Sequence, residues 1–178
     1  AKKGCNITII GDSITGDIKR NEFNKWVKGK CYIKTYSGAD SKEMISHVQP
    51  TIDRENTDIA IIHTGTNSLT SKNFRGKSPK EIASSIVNVA IKCREGGIPK
   101  VALSTIVRRR NTKLQDRINV VNDFLKFMCN EHEFDLIDNS NIIDIDISDD
   151  SLHMNYSGTK KLADNFIAHL NALESSNN

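Results

Sequence analysis

The chain has 178 residues, 37% of them hydrophobic and 26% charged, which fits one globular domain with a core of ordinary size. A formal charge of +3 is too small to imply nucleic-acid binding by this domain alone, and the sequence leaves the oligomeric state open. No apolar run approaches the ~20 residues of a membrane helix. Ala1–Asn6 carries no legible signal peptide, which says little about the full-length protein; the expectation of an intracellular, cytoplasmic setting rests on the unpaired cysteines.

Asn6–Ile10 (NITII) reads as a buried strand. Gly16–Val27 is expected to hold a helix with Ile18, Phe23, Trp26 and Val27 facing inward. Cys31–Tyr36 alternates as a half-exposed strand, and a helix follows near Ser41–Ile52, bent at Pro50. Asp58–His63 is a third strand. Ser78-Pro79-Lys80-Glu81 is a helix start: Ser78 caps, Pro79 suits the first helical position and Glu81 closes a capping box. Ile82, Ile86, Val89, Ala90 and Cys93 mark one face of that helix, and Gly96-Gly97 stop it. Lys100–Ser104 is a fourth strand. Leu114, Ile118, Val121, Leu125 and Met128 recur at helical spacing, and Phe134–Ile137 is a fifth strand. The last helix begins near Ser157 and carries Leu162, Phe166, Ile167, Leu170 and Leu173. Residues 1–174 then form one domain, with Ser175–Asn178 a frayed tail.

Strands alternating with helices imply an α/β, three-layer α/β/α sandwich. The sheet is expected to be a flavodoxin-like, parallel five-stranded one in the order 2-1-3-4-5, with ligands beyond the strand C-termini. Cys5, Cys31, Cys93 and Cys129 form no CxxC pair and read as buried, reduced thiols. Cys129 and His132 lack the second ligand pair of a zinc site.

The segments after the strands carry the chemistry. Gly11-Asp12-Ser13-Ile14 follows the first strand, where Gly11 permits a tight turn and Ser13 sits at a helical N-terminus that favours a developing anion. Alone, this tripeptide reads more readily as a helix cap after a strand. The GxSxG elbow of ordinary α/β-hydrolases is missing, because position 15 is Thr. Gly38 follows the second strand and Asn67 the third; a Gly N–H and an Asn amide are suited to holding an oxyanion, although both residue types also suit plain turns. The long segment Asp138–Tyr156 contains Asp150-Ser151-Leu152-His153. An Asp three residues before a His can bend back onto the imidazole, fixing its tautomer; Asp149 is the rival carboxylate.

Taken together, GDSI at 11–14, Gly38, GTN at 65–67 and DSLH at 150–153 resemble the four blocks of SGNH (GDSL-like) hydrolases, in order and across nearly the whole chain. The resemblance implies Ser13 as nucleophile, His153 as base and Asp150 as its partner. It implies an oxyanion hole of Ser13, Gly38 and Asn67, no cofactor and no metal. A closer resemblance is to the esterase-like domains of animal non-LTR retrotransposons, through IIHTGTNSL, SPKEIA, VNDFLKFMCNEHEF and LHMNYSGTKKLADNF. Two departures stand out. Ser68 occupies a position where such domains often have Asp, which bears on a loop-bracing hydrogen bond. DSLH often reads DGLH elsewhere, so Ser151 matters if that turn needs positive φ.

The implied activity is hydrolysis of a small-molecule or lipid carboxylic ester through an acyl-enzyme, with a rate that falls on acidification as His153 takes up a proton. The alternative is a lipid-, RNA- or protein-binding module on the same scaffold. Asp12, His63, Arg108 and Arg109 are the further candidates for substrate contacts at this edge. Arg108-Arg109-Arg110 lacks the interleaved aromatics of an RNA-stacking surface. Asp144, Asp146, Asp149 and Asp150 read as solvated charge, because the ligand order and Gly of a calcium loop are missing.

Overall fold

Residues 4–176 are described by the structure, a computed structural model. Five strands form one sheet, β1 (Asn6–Gly11), β2 (Lys30–Thr35), β3 (Ile59–His63), β4 (Lys100–Ser104) and β5 (Asp135–Ile137), in the order β2-β1-β3-β4-β5. All four pairings are parallel. The apolar runs explain this. β1, β3 and β4 are buried on both faces, as the interior of a parallel sheet requires. β2, at the edge, is half-buried along most of its length, which is why its sequence alternates.

Among the described residues five α-helices cover the two faces: α1 (Arg20–Asn24), α2 (Ser41–Glu55), α3 (Pro79–Glu95), α4 (Thr112–His132) and α5 (Tyr156–Ser176). Ile10, Ala60, Ile62 and Leu103 pack under α2, α3 and α4 through Met44, Val48, Ile82, Ile86, Val89 and Leu125. Ile7, Ile9, Ile61 and Ala102 pack on the other side under Phe23 of α1 and Leu162, Phe166 and Leu170 of α5. Capping closes α3 as its sequence predicts: Ser78 Oγ accepts from Glu81 N–H and the Glu81 carboxylate accepts from Ser78 N–H. No helix among the described residues is long and apolar enough to cross a membrane.

Four expectations need correction. The region 16–27 holds only the five-residue α1, because the N–H of Gly16 bonds Ser13 O and ends a one-turn 3-10 helix over Ser13–Thr15. Ile18 and Phe23 are inward, but Trp26 is 67% exposed. Asn24 and Arg20 instead bond the backbone of Cys31, stitching α1 to the edge strand. α2 continues through Pro50 to Glu55 and stops at left-handed Asn56. Cys5 is exposed, whereas Cys31, Cys93 and Cys129 are buried; all four are free thiols. α5 reaches Ser176, so Ser175 and Ser176 belong to the helix and not to a tail. Lys2-Lys3 and Asn177-Asn178 lie outside the described residues.

Candidate active site

The one-turn helix over Ser13–Thr15 forms because Asp12 caps it. Asp12 Oδ1 accepts from Ile14 N–H at 3.0 Å, while Asp12 O accepts from Thr15 N–H. Gly11 must remain Gly: a Cβ there would lie 2.5 Å from the Thr15 side chain. Ser13 is thereby held at the exit of β1, half-buried. The neighbouring strand ends are tied to it. Asp12 N–H donates to His63 O of β3, and Tyr36 N–H, just past β2, donates to Gly11 O. Gly38 adopts φ +78°, a left-handed conformation natural to glycine. The Asn67 amide donates to Ala39 O at 3.0 Å, linking the turns that follow β2 and β3. That amide carries a second hydrogen. Among the described residues, neither Ser13 N–H nor Gly38 N–H has an acceptor.

Ser68 sustains this arrangement. Its hydroxyl accepts from Ser41 N–H at 3.0 Å and bonds Ser41 Oγ at 2.8 Å, and Ser41 Oγ donates to Ser85. The turn bearing Asn67 is thus pinned to the first residue of α2, three residues after Gly38. Ser68 therefore supplies a brace at this position. Asp40 adds to it by capping α2 and accepting from Ser71 and Asn73 at 2.5 and 2.9 Å. These hydrogen bonds hold the Asp40 carboxyl below the usual carboxylate range despite its burial. The Asp40-x-x-Glu43 capping-box spacing was the sequence signal for Asp40.

His153 arrives from the loop between β5 and α5. Its Nε2 lies 3.2 Å from Ser13 Oγ, and its Nδ1 lies 2.6 Å from Asp150 Oδ2. With Nδ1–H directed at Asp150, Nε2 is left to accept the Ser13 hydroxyl proton. Asp150 Oδ1 meanwhile accepts from Leu152 N–H at 2.9 Å, His153 N–H at 2.8 Å and Ser148 Oγ–H at 2.9 Å. The His153 ring, followed by these backbone donors, holds the Asp150 carboxyl far below the usual carboxylate range. Asp149 makes no contact with His153; its side chain projects into solvent, with Arg110 3.9 Å away. Asp144 pairs with Arg108, and buried Asp146 pairs with Lys161 at 2.7 Å. The acidic stretch is therefore mostly partnered and not simply solvated.

Ser151 has φ +63°, so the turn does require a left-handed residue. Ser151→Gly is expected to hold or raise stability by up to about 1 kcal/mol, and Ser151→Val to cost about 1–2 kcal/mol. Thermal unfolding of the two variants checks this; a Val variant as stable as the parent would refute it.

The remaining candidates separate by burial. His63 is 2% exposed, lies against Phe166 and bonds Ser104 Oγ at 2.7 Å through Nδ1. It belongs to a buried polar chain running through Ser104 and Asn139 to Asn165, not to the substrate edge. Burial pushes its imidazole down to about 4. Arg108 turns toward Asp144 on the loop. Asp12 is fully buried and its Oδ2 has no partner among the described residues. Burial raises its carboxyl to about 7, opposed by the Ile14 N–H and by His153.

A folded carboxyl that binds its proton more tightly than the unfolded chain makes stability fall as pH rises from 3.8 to about 7, and stay lowered above that. Asp12→Asn keeps the Oδ1 acceptor but leaves a new amide N–H unpaired. It is expected to stabilise the fold by roughly 1–3 kcal/mol at pH 8, and by much less at pH 4. Urea unfolding at the two pH values decides; an equal effect at both would show that Asp12 carries no such strain.

No family model matches the sequence. No curated protein matches it either. Solved structures do match in shape. A GDSL-like lipase from Bacteroides thetaiotaomicron superposes with a TM-score of 0.78 at 14% identity, over 94% of this chain and 88% of that one. A carbohydrate acetylesterase from Sinorhizobium meliloti gives 0.77 at 14% identity, over 95% and 99%. An α/β hydrolase from the metagenome of Lake Arreo, Spain, gives 0.80 at 17% identity, over 96% and 97%. The parallel sheet in the order 2-1-3-4-5, with helices on both faces, is the SGNH hydrolase fold.

Proposed function

We propose that this chain is a serine esterase that hydrolyses carboxylic esters through an acyl-enzyme. The observation that carries the reading is the unbroken relay from Ser13 Oγ to His153 Nε2 at 3.2 Å and from His153 Nδ1 to Asp150 at 2.6 Å. His153 takes the Ser13 proton as Oγ bonds to the acyl carbon. The carbonyl oxygen becomes an anion held by Ser13 N–H, Gly38 N–H and the free hydrogen of the Asn67 amide. The acyl–oxygen bond then breaks and His153 protonates the departing alcohol. Water repeats the cycle and frees the acid. Every proton and charge in this sequence is handled by residues of the chain, so no cofactor is required. The shape shared with lipases and acetylesterases supports the same reading.

The substrate class is a small-molecule or lipid ester. The half-exposed His153 and Asp150, 41% and 50% accessible at their side chains, fit an open site that admits the ester from solution. Four free thiols fit an intracellular setting. The motifs LHMNYSGTKKLADNF and IIHTGTNSL favour an origin among retrotransposon esterase-like domains.

A fluorophosphonate is expected to label Ser13 stoichiometrically, and Asn67→Ala to lower kcat on p-nitrophenyl esters by roughly 10²–10³. Mass spectrometry and steady-state kinetics check both. No labelling, with no ester turnover, would leave the scaffold as a binding module; labelling with full activity in Asn67→Ala would remove Asn67 from the oxyanion hole.

A further inference from the structure

We propose that Ser148 is a positioning residue of the relay: its hydroxyl fixes the Asp150 carboxylate so that the second carboxylate oxygen stays aimed at His153 Nδ1. The inference rests on the esterase reading and adds one residue to the group that reading uses. Asp150 and His153 stand on the tip of a loop that is closed on itself. Ser148 N–H donates to His153 O at 2.8 Å, and Ser151 N–H donates to Ser148 O at 3.0 Å. Below the tip lies an anchored stem. Ile147 and Met154, both buried, form an antiparallel bridge, and Asn155 N–H donates to Asp146 O at 2.9 Å. Arg110 Nη2 donates to Ile147 O at 2.5 Å and to Asp144 O at 3.3 Å. The buried Asp146 carboxylate accepts from Ile143 N–H, Ser157 Oγ and Lys161 Nζ. Half-buried Ser148 is where this stem meets the exposed Asp149 and Asp150.

The Ser148 hydroxyl lies 2.9 Å from Asp150 Oδ1 and 2.8 Å from His153 O. It has one hydrogen for two acceptors. His153 O already accepts from Ser148 N–H, and an ionised carboxylate is the stronger acceptor, so the hydrogen belongs to Asp150. The other donors to Oδ1 are Leu152 N–H and His153 N–H. Both belong to the same exposed tip as Asp150 and move with it. Ser148 is the donor that ties the carboxylate to the stem.

Such a tie has work to do in an open site. The torsion that turns a carboxylate is soft, and water reaches this one freely. With Oδ1 held from the stem, Oδ2 is directed at Nδ1, which it meets at 2.6 Å. That direction keeps the proton on Nδ1 and leaves Nε2 free to take the one from Ser13. Among the donors that hold the Asp150 carboxyl below the usual carboxylate range, the His153 ring comes first and Ser148 last. The hydroxyl therefore acts through direction more than through charge.

Ser148→Ala removes the hydroxyl but keeps the backbone N–H that closes the loop on His153 O. On a short p-nitrophenyl ester it is expected to lower kcat by about tenfold and to change KM by less than about twofold. Ser148→Thr, which keeps a hydroxyl, is expected to restore most of the loss. In an Asp150→Ala background the acceptor is gone, so adding Ser148→Ala is expected to cost less than about twofold more. A proton resonance checks the geometry without turnover. The Nδ1–H shared by His153 and Asp150 is expected to give a low-field signal in the parent and in Ser148→Thr, and a broadened or missing one in Ser148→Ala. A parental kcat in Ser148→Ala overturns the proposal. So does a full tenfold loss repeated on top of Asp150→Ala, or a folded Thr variant as slow as the Ala variant. If the parent turns over the ester and Ser13→Ala does not, the esterase reading stands whatever Ser148 does. If the parent turns over no ester, that reading falls, and an unchanged Nδ1–H signal in Ser148→Ala rejects the positioning role as well.

Discussion

Ser13→Ala is expected to lower ester turnover by about 10⁴-fold or more while leaving the fold unchanged. The size follows from what is lost. Acyl transfer to water without a covalent nucleophile keeps only the donors at Gly38, Asn67 and position 13 itself, and such donors with binding alone leave a residual rate far below that of the intact set. The intact fold follows from where Oγ points. The turn over Ser13–Thr15 is built from Asp12 Oδ1 to Ile14 N–H, Asp12 O to Thr15 N–H and Gly16 N–H to Ser13 O. None of these uses the Ser13 hydroxyl, whose one partner among the described residues is His153. Thermal unfolding should therefore shift little, within about 0.5 kcal/mol, while p-nitrophenyl ester kinetics collapse. Undiminished turnover in a folded Ser13→Ala chain would reject Ser13 as nucleophile.

The sheet was legible because its strands are short apolar runs separated by strongly capped helices. Ser78-Pro79-Lys80-Glu81 predicts a start, and the structure begins α3 at Pro79. The stretch after Ser13 was misread for a physical reason. Ile18, Phe23, Trp26 and Val27 have helical spacing, but Gly16 is used to close the preceding turn, and a five-residue helix buries only Phe23. Periodicity does not reveal that a residue has already been engaged upstream. Spacing makes the pairing at 150–153 a candidate, since an Asp three residues before a His can bend back to its ring, but by itself it leaves an acidic surface loop equally open and Asp149 as a rival. The wider support of that loop was not legible. Arg110 and Asp144 are 34 residues apart, and nothing local in either marks the contact. By sequence Asp12 is a candidate substrate contact beside Ser13; its unpartnered, buried oxygen appears only when the neighbouring strands are in place. Motifs point to the groups proposed to react, whereas burial and long-range hydrogen bonds separate them from neighbours held in structural contacts.

Asp150→Ala is expected to reduce kcat by roughly 10³–10⁴, and Asp149→Ala to change it by less than about twofold. The two carboxylates are adjacent in sequence, so charge near the loop is almost the same in both variants. What differs is contact. Asp150 meets the imidazole at 2.6 Å through Oδ2, and through Oδ1 it closes the turn on Leu152 and His153 N–H. Its removal frees the imidazole to take the wrong tautomer, leaves the imidazolium of the transition state without its anion, and opens the turn. Asp150→Asn separates these effects. The amide oxygen can still close the turn on the backbone donors, but the side chain can no longer stabilise the imidazolium. A loss in Asn comparable to that in Ala would place most of the effect in electrostatics and tautomer control. A near-normal Asn variant would place it in the turn. Steady-state kinetics on a short p-nitrophenyl ester, read beside circular dichroism for each variant, make the distinction. A greater loss from Asp149→Ala than from Asp150→Ala would contradict the relay that links Ser13, His153 and Asp150.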